Sequence, residues 1–211
     1  MSEDRAAAVI IRNLKLLEDA ASFLVHQITE KIWDEMNKIG EEWIDKQKWS
    51  ANFEGEEDWT VAPNNWLSEP KKINSAFARF EVDAGEGDDY GDTESYAYFD
   101  LTRFCGIKNE MGLRFKVHPQ ELGISKPKWR QYLIGGAKPF QEKGFKIEEK
   151  NGCLFWPLRI EQESLIKAWD EDSFDEVLRP FSEKLEWIKK SISMFDKLID
   201  GAKKEGKRSA I

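Results

Sequence analysis

The sequence predicts an α+β fold, in which an antiparallel sheet of about four to six strands is flanked by long N- and C-terminal helices. Both ends of the chain carry apolar residues at helical spacing, and the middle carries runs that alternate like strands. The links between those runs are too short for parallel crossovers. We expect a single domain, with a helix over 1–47, a sheet over 48–160 and helices over 161–203.

The N-terminal part, from Ala6 to about Lys46, is predicted to be one long amphipathic helix, because apolar residues recur at steps of three or four. The stripe consists of Ile10, Leu14, Leu17, Ala21, Leu24, Ile28, Ile32, Met36, Ile39 and Trp43. No proline interrupts this segment, and Gly40 is its weak point, so a break is expected near Gly40.

The central strands are predicted as a meander. Phe77–Val82 and Met111–Val117 alternate, and Ser95–Phe104 is rich in strand-forming residues. Trp59–Ala62 is a further candidate for a short strand. We therefore expect the strand over Ser95–Phe104 to lie between the other two in chain order, linked to the first by an acidic loop.

A helix is predicted over Lys126–Lys143, with a kink or early end at the Gly135-Gly136 pair. After it, Asn151-Gly152 predicts a hairpin with a two-residue type I′ turn, in which both central residues need positive φ. A short helix is expected over Glu163–Trp169. A longer one follows, with Pro180 in its first turn and Gly201 at its end.

Negative charge is concentrated in one strip. The chain has 40 Asp and Glu against 32 Lys and Arg, a formal net charge of −8. Eight acidic and no basic residues lie between Arg79 and Arg103, and without these eight the two signs balance. They are Glu81, Asp83, Glu86, Asp88, Asp89, Asp92, Glu94 and Asp100. Such a field attracts cationic partners and repels nucleic-acid phosphates.

Several kinds of site are excluded by the residue patterns. Only His26 and His118 are available for a Ser-His-acid arrangement, and no nucleophile elbow occurs. Neither a phosphate-binding loop nor a dinucleotide fingerprint is present. Asp83 and Glu94 have the spacing of a calcium loop, but Gly85 and Gly87 stand where ligands belong, which excludes an EF-hand. A looser site for a hard cation at Asp83, Asp88, Asp89 and Asp92 stays open, with a solvated loop as the preferred interpretation. No metal site is assigned and no cofactor is predicted.

The two cysteines, Cys105 and Cys153, are interpreted as reduced core residues. The N-terminus lacks the pattern of a signal peptide, and no apolar run is long enough to span a bilayer, so a cytoplasmic location is expected.

The tryptophans of the irregular segment leave two interpretations open. Trp49, Trp59 and Trp66 lie near Glu54, Glu56, Glu57 and Asp58. Aromatic residues beside acidic ones suit a protein interface, and they equally suit a loop held to the domain by its apolar residues. The basic residues around the predicted helix over Lys126–Lys143 are ordinary surface charge or one pole of a dipolar molecule.

We therefore expect an acidic, non-enzymatic cytosolic binding protein of the inhibitor, immunity or nucleic-acid-mimic kind, which docks on a basic macromolecular surface. The binding residues would be Asp83, Glu86, Asp88, Asp89, Asp92 and Glu94, with Trp59 and Trp66. No direct contact with nucleic acid is expected at the acidic loop, and no membrane contact. The oligomeric state stays open.

The main alternative is a metal-dependent enzyme acting on nucleic acid, using carboxylates from the acidic loop and from Glu148. Glu148-Glu149-Lys150 fits the Glu-x-Lys half of a nuclease pattern, and Asp100 is the nearest upstream acid on a predicted strand. The order of helix, hairpin and helix over 128–199 resembles accessory regions of restriction-nuclease-like proteins, which implies a nuclease accessory domain as a variant. A third hypothesis is a self-assembling protein whose first helix pairs with its symmetry mate.

Overall fold

The computed structural model describes residues 9–53, 59–85, 98–107 and 110–208, apart from the side chains of Tyr98, Phe99 and Arg208. Within these residues the protein has one antiparallel six-stranded sheet and seven α-helices, which confirms the predicted α+β class. The strands are β1 Trp49–Asn52, β2 Thr60–Pro63, β3 Ala78–Ala84, β4 Met111–Val117, β5 Lys146–Glu148 and β6 Cys153–Leu158. The helices are α1 Leu14–Phe23, α2 Glu30–Ile44, α3 Tyr98–Phe104, α4 Lys126–Gly136, α5 Lys138–Gln141, α6 Gln162–Asp170 and α7 Asp175–Arg208.

The sheet has the strand order β1-β2-β3-β4-β6-β5. Strands β3 and β4 pair directly along their whole length, from Ala78 opposite Val117 to Ala84 opposite Met111. The prediction of a middle strand over Ser95–Phe104 is wrong where the structure describes this segment, because Tyr98–Phe104 forms helix α3. Its residues favour strands, but the buried Phe104 ring packs edge-on against Trp33 at 5.5 Å, and this packing outweighs local preference.

The N-terminal helix is interrupted at a different place from the one predicted. Residues 9–12 are helical up to a turn at Asn13, α1 follows, and Leu24–Thr29 is π-helical before α2 begins. Helix α2 continues through Gly40 without a break. Because this residue has no side chain, Phe53 and Trp59 pack directly against the helix there and hold it in place. A Cβ added at Gly40 would lie 2.9 Å from Phe53 Cζ.

The long C-terminal helix α7 covers one face of the sheet. Phe195 contacts Phe80 and Phe115 with ring centroids 4.9 Å apart in both pairs, and Phe181 contacts Trp59 at 5.2 Å. Pro180 lies inside this helix, which begins five residues before it at Asp175, rather than in its first turn. The predicted end at Gly201 is also wrong, because the helix continues to Arg208. This aromatic layer forms the main core between sheet and helix.

The segment predicted as one helix over Lys126–Lys143 forms α4 and α5, which are separated at Ala137. The hairpin that follows is confirmed, but its turn type is wrong. Glu148 pairs with Cys153, so the connection has four residues, and within it only Gly152 has a positive φ, of 67°. None of the helices in the described ranges has the length and apolar character needed to cross a membrane.

Candidate functional site

Exposed apolar side chains are concentrated at one end of the molecule. Of the large hydrophobic residues that are exposed in the described part of the chain, all but Ile134 belong to residues 9–23 or to a neighbouring groove. Those in the first group are Val9, Ile10, Ile11, Leu14, Leu16, Leu17 and Phe23. Leu16 and Ile11 are 66% and 67% exposed, well beyond the partial exposure usual for helix residues that cover a core.

Helix α1 contains no buried residue at all. The polar residues of α1 and the turn before it fall on one side at steps of three and four, Arg12, Lys15, Asp19 and Ser22, with Glu18 beside them, and most of the remaining surface is apolar. An amphipathic helix of this kind normally buries its apolar face against the protein body. Here that face is directed to solvent, so the segment is amphipathic without a partner within the described residues.

The π-helical segment Leu24–Thr29 joins this exposed helix to the core. Thr29 is fully buried, and its Oγ1 donates a hydrogen bond to the Leu24 carbonyl oxygen at 2.9 Å. Beyond this segment α2 buries Ile32, Trp33 and Met36. The predicted apolar stripe therefore has two roles: its second half packs in the core, whereas its first half lies on the surface.

An apolar groove of about 600 Å³ opens where α1 meets the protein body. Its walls come from Phe23 and the π-helical segment, from the end of α3 with the loop that follows it, and from α6. The exposed apolar side chains on its rim are Phe23, Ile107, Ile166 and Trp169. Phe23 and Trp169 meet edge-on across the groove, with ring centroids 5.7 Å apart.

The floor of the groove is fixed by the core. The Ile160 amide donates to the Phe104 carbonyl oxygen at 2.7 Å, which ties the exit of β6 to the end of α3. Leu165 of α6 is buried beside it. The groove is therefore a preformed feature of the fold. We name residues 9–23 together with this groove the apolar surface.

The chemistry of the groove favours contact rather than catalysis. Its polar lining consists of Thr102, Gln162, Glu163 and Asp170, beside the thiol of Cys105. Burial, reinforced by the charge of Glu161, raises the pKa of Cys105, so this thiol stays protonated at neutral pH. No histidine lines the groove to activate it.

The acidic strip is partly neutralised inside the protein. Glu81 accepts hydrogen bonds from Lys116 Nζ at 3.0 Å and Arg79 Nε at 3.1 Å, and Asp83 pairs with Arg114. Asp100 pairs with Arg103 at 2.9 Å. The other members, Glu86, Asp88, Asp89, Asp92 and Glu94, lie outside the described residues. Asp83 is therefore engaged internally, whereas the proposed role of these five is untested.

Trp59 and Trp66 lie in the core, with 0% and 1% of their surface exposed. Trp59 packs between Phe53 and Phe181, and Trp66 donates from Nε1 to Asp196 Oδ1 at 2.8 Å. Both hold the segment between α2 and β3 to the domain, which is the second of the two interpretations drawn from the sequence. Neither side chain is available to a partner.

Two carboxylates of the enzyme alternative, Asp100 and Glu148, are also engaged. Asp100 lies on helix α3 instead of a strand, and the buried Glu148 accepts a hydrogen bond from Arg114 Nε at 2.8 Å. Burial alone would lower the pKa of the Arg114 guanidinium, but Glu148 and Asp83 raise it above its ordinary value. Within the described residues, no three His, Cys, Asp or Glu side chains come together as metal ligands.

The apolar surface was not predicted as a site from the sequence, although a signal is present. Val9, Ile11 and Leu16 are apolar residues outside the predicted stripe, and one core-facing side of a helix does not require them. Ile107, Ile166 and Trp169 come from distant parts of the chain, so their convergence depends on the fold.

Comparison with known proteins adds no relative from which a function can be transferred. No protein-family model, curated protein or solved structure matches the chain.

Proposed function

We propose that the protein is a non-enzymatic binding protein that pairs with a second copy of itself through the apolar surface. The observation that carries this proposal is the exposed helical segment 9–23, formed by residues 9–12 and α1, whose large apolar side chains continue into the groove. Contiguous apolar patches of this extent on proteins mark sites of contact with other molecules.

The charge pattern of the helix supports an antiparallel arrangement. Arg12 and Lys15 lie in its first half, and Glu18 and Asp19 lie in its second half. In an antiparallel pair each basic half lies beside an acidic half of the other copy, whereas a parallel pair would place like charges together. A pair centred near Leu16 and Leu17 brings Lys15 of one copy opposite Glu18 of the other.

The same arrangement fills the groove. With the two-fold axis near Leu16 and Leu17, residues 9–11 of each copy reach Phe23 and the groove of the other. The contact is then isologous, because the same surface is used twice.

The size of the contact requires the groove to take part. Residues 9–23 span about 22 Å at about 1.5 Å per residue, and half the surface of such a helix is about 400 Å². Two faces give about 800 Å², which is below the roughly 1,200–2,000 Å² of stable interfaces. Docking of residues 9–11 at both grooves supplies the additional area.

A membrane surface is a poorer fit as the occupant. Interfacial helices carry a polar face rich in Lys and Arg that is attracted to anionic lipids. Here the helix has two basic and two acidic residues between Val9 and Phe23, and the whole chain carries a net charge of −8. Repulsion from anionic headgroups would oppose such binding.

The test is the mass in solution, measured by light scattering behind size-exclusion chromatography over a wide range of concentration. The wild type is expected at twice the 24.6 kDa of the chain, and the Leu14→Glu/Leu17→Glu variant at the monomer mass. Since α1 has no buried residue, this variant should keep the circular dichroism of the wild type. Ile134→Glu, at the exposed apolar residue outside the surface, is the matched control and should remain a dimer. A monomeric wild type at all concentrations contradicts the proposal.

Cysteine cross-linking tests the orientation. Leu17→Cys lies near the proposed axis and should form a disulfide-linked dimer under mild oxidation, whereas Ile10→Cys should not. Cys105 and Cys153 are both buried and should not contribute. Cross-linking through Ile10→Cys as well as Leu17→Cys would indicate a parallel pair, in which every residue faces its own copy, and would reject the arrangement.

A second candidate function rests on the acidic residues 86–94. Of the eight acidic residues in the strip, Glu81, Asp83 and Asp100 have cationic partners in the described structure. The negative charge for which no described ion pair accounts is therefore that of the other five. We propose that those five provide a second contact, with a basic protein. Replacing all five by Asn or Gln should slow association with such a protein and flatten its salt dependence. Unchanged association kinetics would reject it.

A further inference from the structure

A second cavity of about 340 Å³ lies at the Val117 end of strand β4. It is enclosed by the end of β4, the turn that follows it, the start of α4 and the turn of the β5–β6 hairpin. Its ionisable lining consists of Lys116, His118, Lys126, Arg130 and Lys150. Its described lining includes no Asp or Glu.

Most of this positive charge is not balanced locally. Lys116 pairs with Glu81 at 3.0 Å, but Glu81 also contacts Arg79 and Arg114. Lys126, Arg130 and Lys150 are exposed and form no ion pair with a carboxylate of the described residues. Several cations around one small concave site, with one shared carboxylate nearby, create a strong attraction for an anion.

The backbone adds to this field. Helix α4 begins at Lys126 on the cavity wall, and the side chain of its N-cap residue Ser125 makes no capping hydrogen bond. In this first turn Pro127 has no N–H, so the amide groups of Lys126 and Lys128 are the donors without intrahelical partners, and the helix dipole places positive potential there. Helix starts of this kind contribute to phosphate binding when they open into a site.

The walls of the cavity are held together before any ligand arrives. Trp129 is 1% exposed, and its Nε1 donates to the Gly152 carbonyl oxygen at 2.7 Å. A Cβ added at Gly152 would lie 3.1 Å from Arg130 Cγ and Trp129 Cδ1, so α4 rests directly on the hairpin turn. A site with fixed walls loses little entropy when it binds.

We propose that this cavity binds the phosphate group of a small phosphorylated ligand. A volume of about 340 Å³ is near the lower end for ligand pockets, about 300–1,000 Å³, so it suits a phosphate with a small organic group attached. A long nucleic acid is disfavoured, because the chain is acidic overall and its negative strip would repel a polyphosphate backbone. Arg130, Lys126 and Lys150 supply charge-assisted hydrogen bonds.

The pKa of His118 depends on the charges around the cavity. Burial and the charge of Arg79 lower its pKa, Lys116 acts in the same direction, and Glu121 and Glu81 oppose them. A bound phosphate would favour the protonated imidazole and raise this pKa.

The experiment uses inorganic phosphate and adenosine monophosphate as probes, measured by calorimetry with the full chain. Saturable binding of either is expected, and Arg130→Gln and Lys126→Gln should each weaken it by about tenfold. Lys138→Gln, an exposed cation on the neighbouring helix α5 outside the cavity lining, is the matched control and should bind as the wild type does. Absence of saturable binding, or equal weakening by the control, overturns the proposal.

Nuclear magnetic resonance provides a second readout, because the chain has only two histidines. Phosphate should shift the His118 resonance and raise its titration midpoint, whereas the His26 resonance from the N-terminal helical region should not respond. Sodium chloride at equal ionic strength should leave both unchanged. Binding of a single-stranded oligonucleotide without response to phosphate or adenosine monophosphate would reject the small-ligand site.

Discussion

Arg114 on β4 donates a hydrogen bond from Nε to Oε2 of Glu148 on β5 at 2.8 Å, across the strand β6 that separates them. Both side chains are buried, at 7% and 4% exposed. The pair spans three strands and ties the short edge strand β5 to the centre of the sheet. Arg114 also bonds to Asp83 and to the Ala84 carbonyl oxygen, so its charge and its donors are used within the fold.

Removing Glu148 should therefore destabilise the protein strongly. Glu148→Ala leaves a buried guanidinium with less compensation, and we expect a loss of about 3–5 kcal/mol in the free energy of unfolding. Glu148→Gln keeps an acceptor and should lose less. Urea unfolding measures both, and Glu149→Gln at the adjacent exposed position is the control. Equal stability of Glu148→Ala and Glu149→Gln would show that the pair contributes little.

Gly112 is required by close approach between strands. A Cβ at this position would lie 2.5 Å from the Trp156 carbonyl oxygen and 2.6 Å from Phe155 Cζ. Gly112→Ala should lower the free energy of unfolding by about 1–3 kcal/mol, since a backbone atom cannot move aside cheaply.

Gly135 provides the opposite case. A Cβ there meets nothing within 4 Å, and the residue lies near the end of helix α4. Gly135→Ala should raise stability by about 0.5–1 kcal/mol through its higher helix propensity. Thermal and urea unfolding measure the stability of Gly112→Ala and Gly135→Ala. An equal loss of unfolding free energy in both variants would contradict the packing argument.

Cys153 should make stability depend on alkaline pH. Burial raises the pKa of this thiol from 9.0 to about 12. Its folded-state pKa lies above the unfolded value, so its contribution is fully present below pH 9.0 and is lost as the pH rises toward 12. Urea unfolding with reductant measures the difference in unfolding free energy between the wild type and Cys153→Ala. This difference should be constant up to about pH 8, and at higher pH the wild type should lose stability relative to the variant. A difference independent of pH would contradict this.

Both thiols should also resist modification in the folded state. Cys105 and Cys153 are 7% and 3% exposed, and burial raises both pKa values. Labelling with a disulfide reagent near neutral pH should be slow, and it should become complete in denaturant.

Trp66 should contribute to the stability of the fold rather than to the binding of a partner. Asp196→Ala removes the acceptor of its buried indole N–H and should cost about 1–3 kcal/mol of unfolding free energy. Asp200→Ala, at an exposed position on the same helix, is the control and should be near neutral. Urea unfolding distinguishes them, and similar values for the two variants would show that the hydrogen bond is unimportant.

The elements that the sequence predicts well are those whose local pattern and tertiary environment agree. Met111–Val117 alternates and pairs on both sides as a strand, and Glu163–Trp169 lies within the observed helix α6. Trp59–Ala62 likewise corresponds to β2 within one residue. In each case a simple period specifies the element without information from distant residues.

The features that the sequence predicts wrongly, or does not predict, depend on contacts between distant residues, which a local pattern does not specify. Tyr98–Phe104 has strand-forming residues but is helical, since its burial is set by α2 and by the chain after β6. The apolar stripe of the first helix predicts which residues are apolar, but not that Leu14 and Leu17 lie outside the core. The basic cavity depends on two turns that meet only in the folded chain.

The π-helical segment Leu24–Thr29 also sets the direction in which residues 9–23 face, as a rotation about the helix axis relative to α2. A π-turn contains one residue more than the α-helical turn it replaces. Deleting one residue there would restore regular winding and turn residues 9–23 by about 100° about the helix axis relative to α2. Phe23 would then turn away from Trp169, and the hydrophobic side of residues 9–23 would no longer continue into the groove. A one-residue deletion in this segment should therefore abolish assembly without unfolding the rest of the protein.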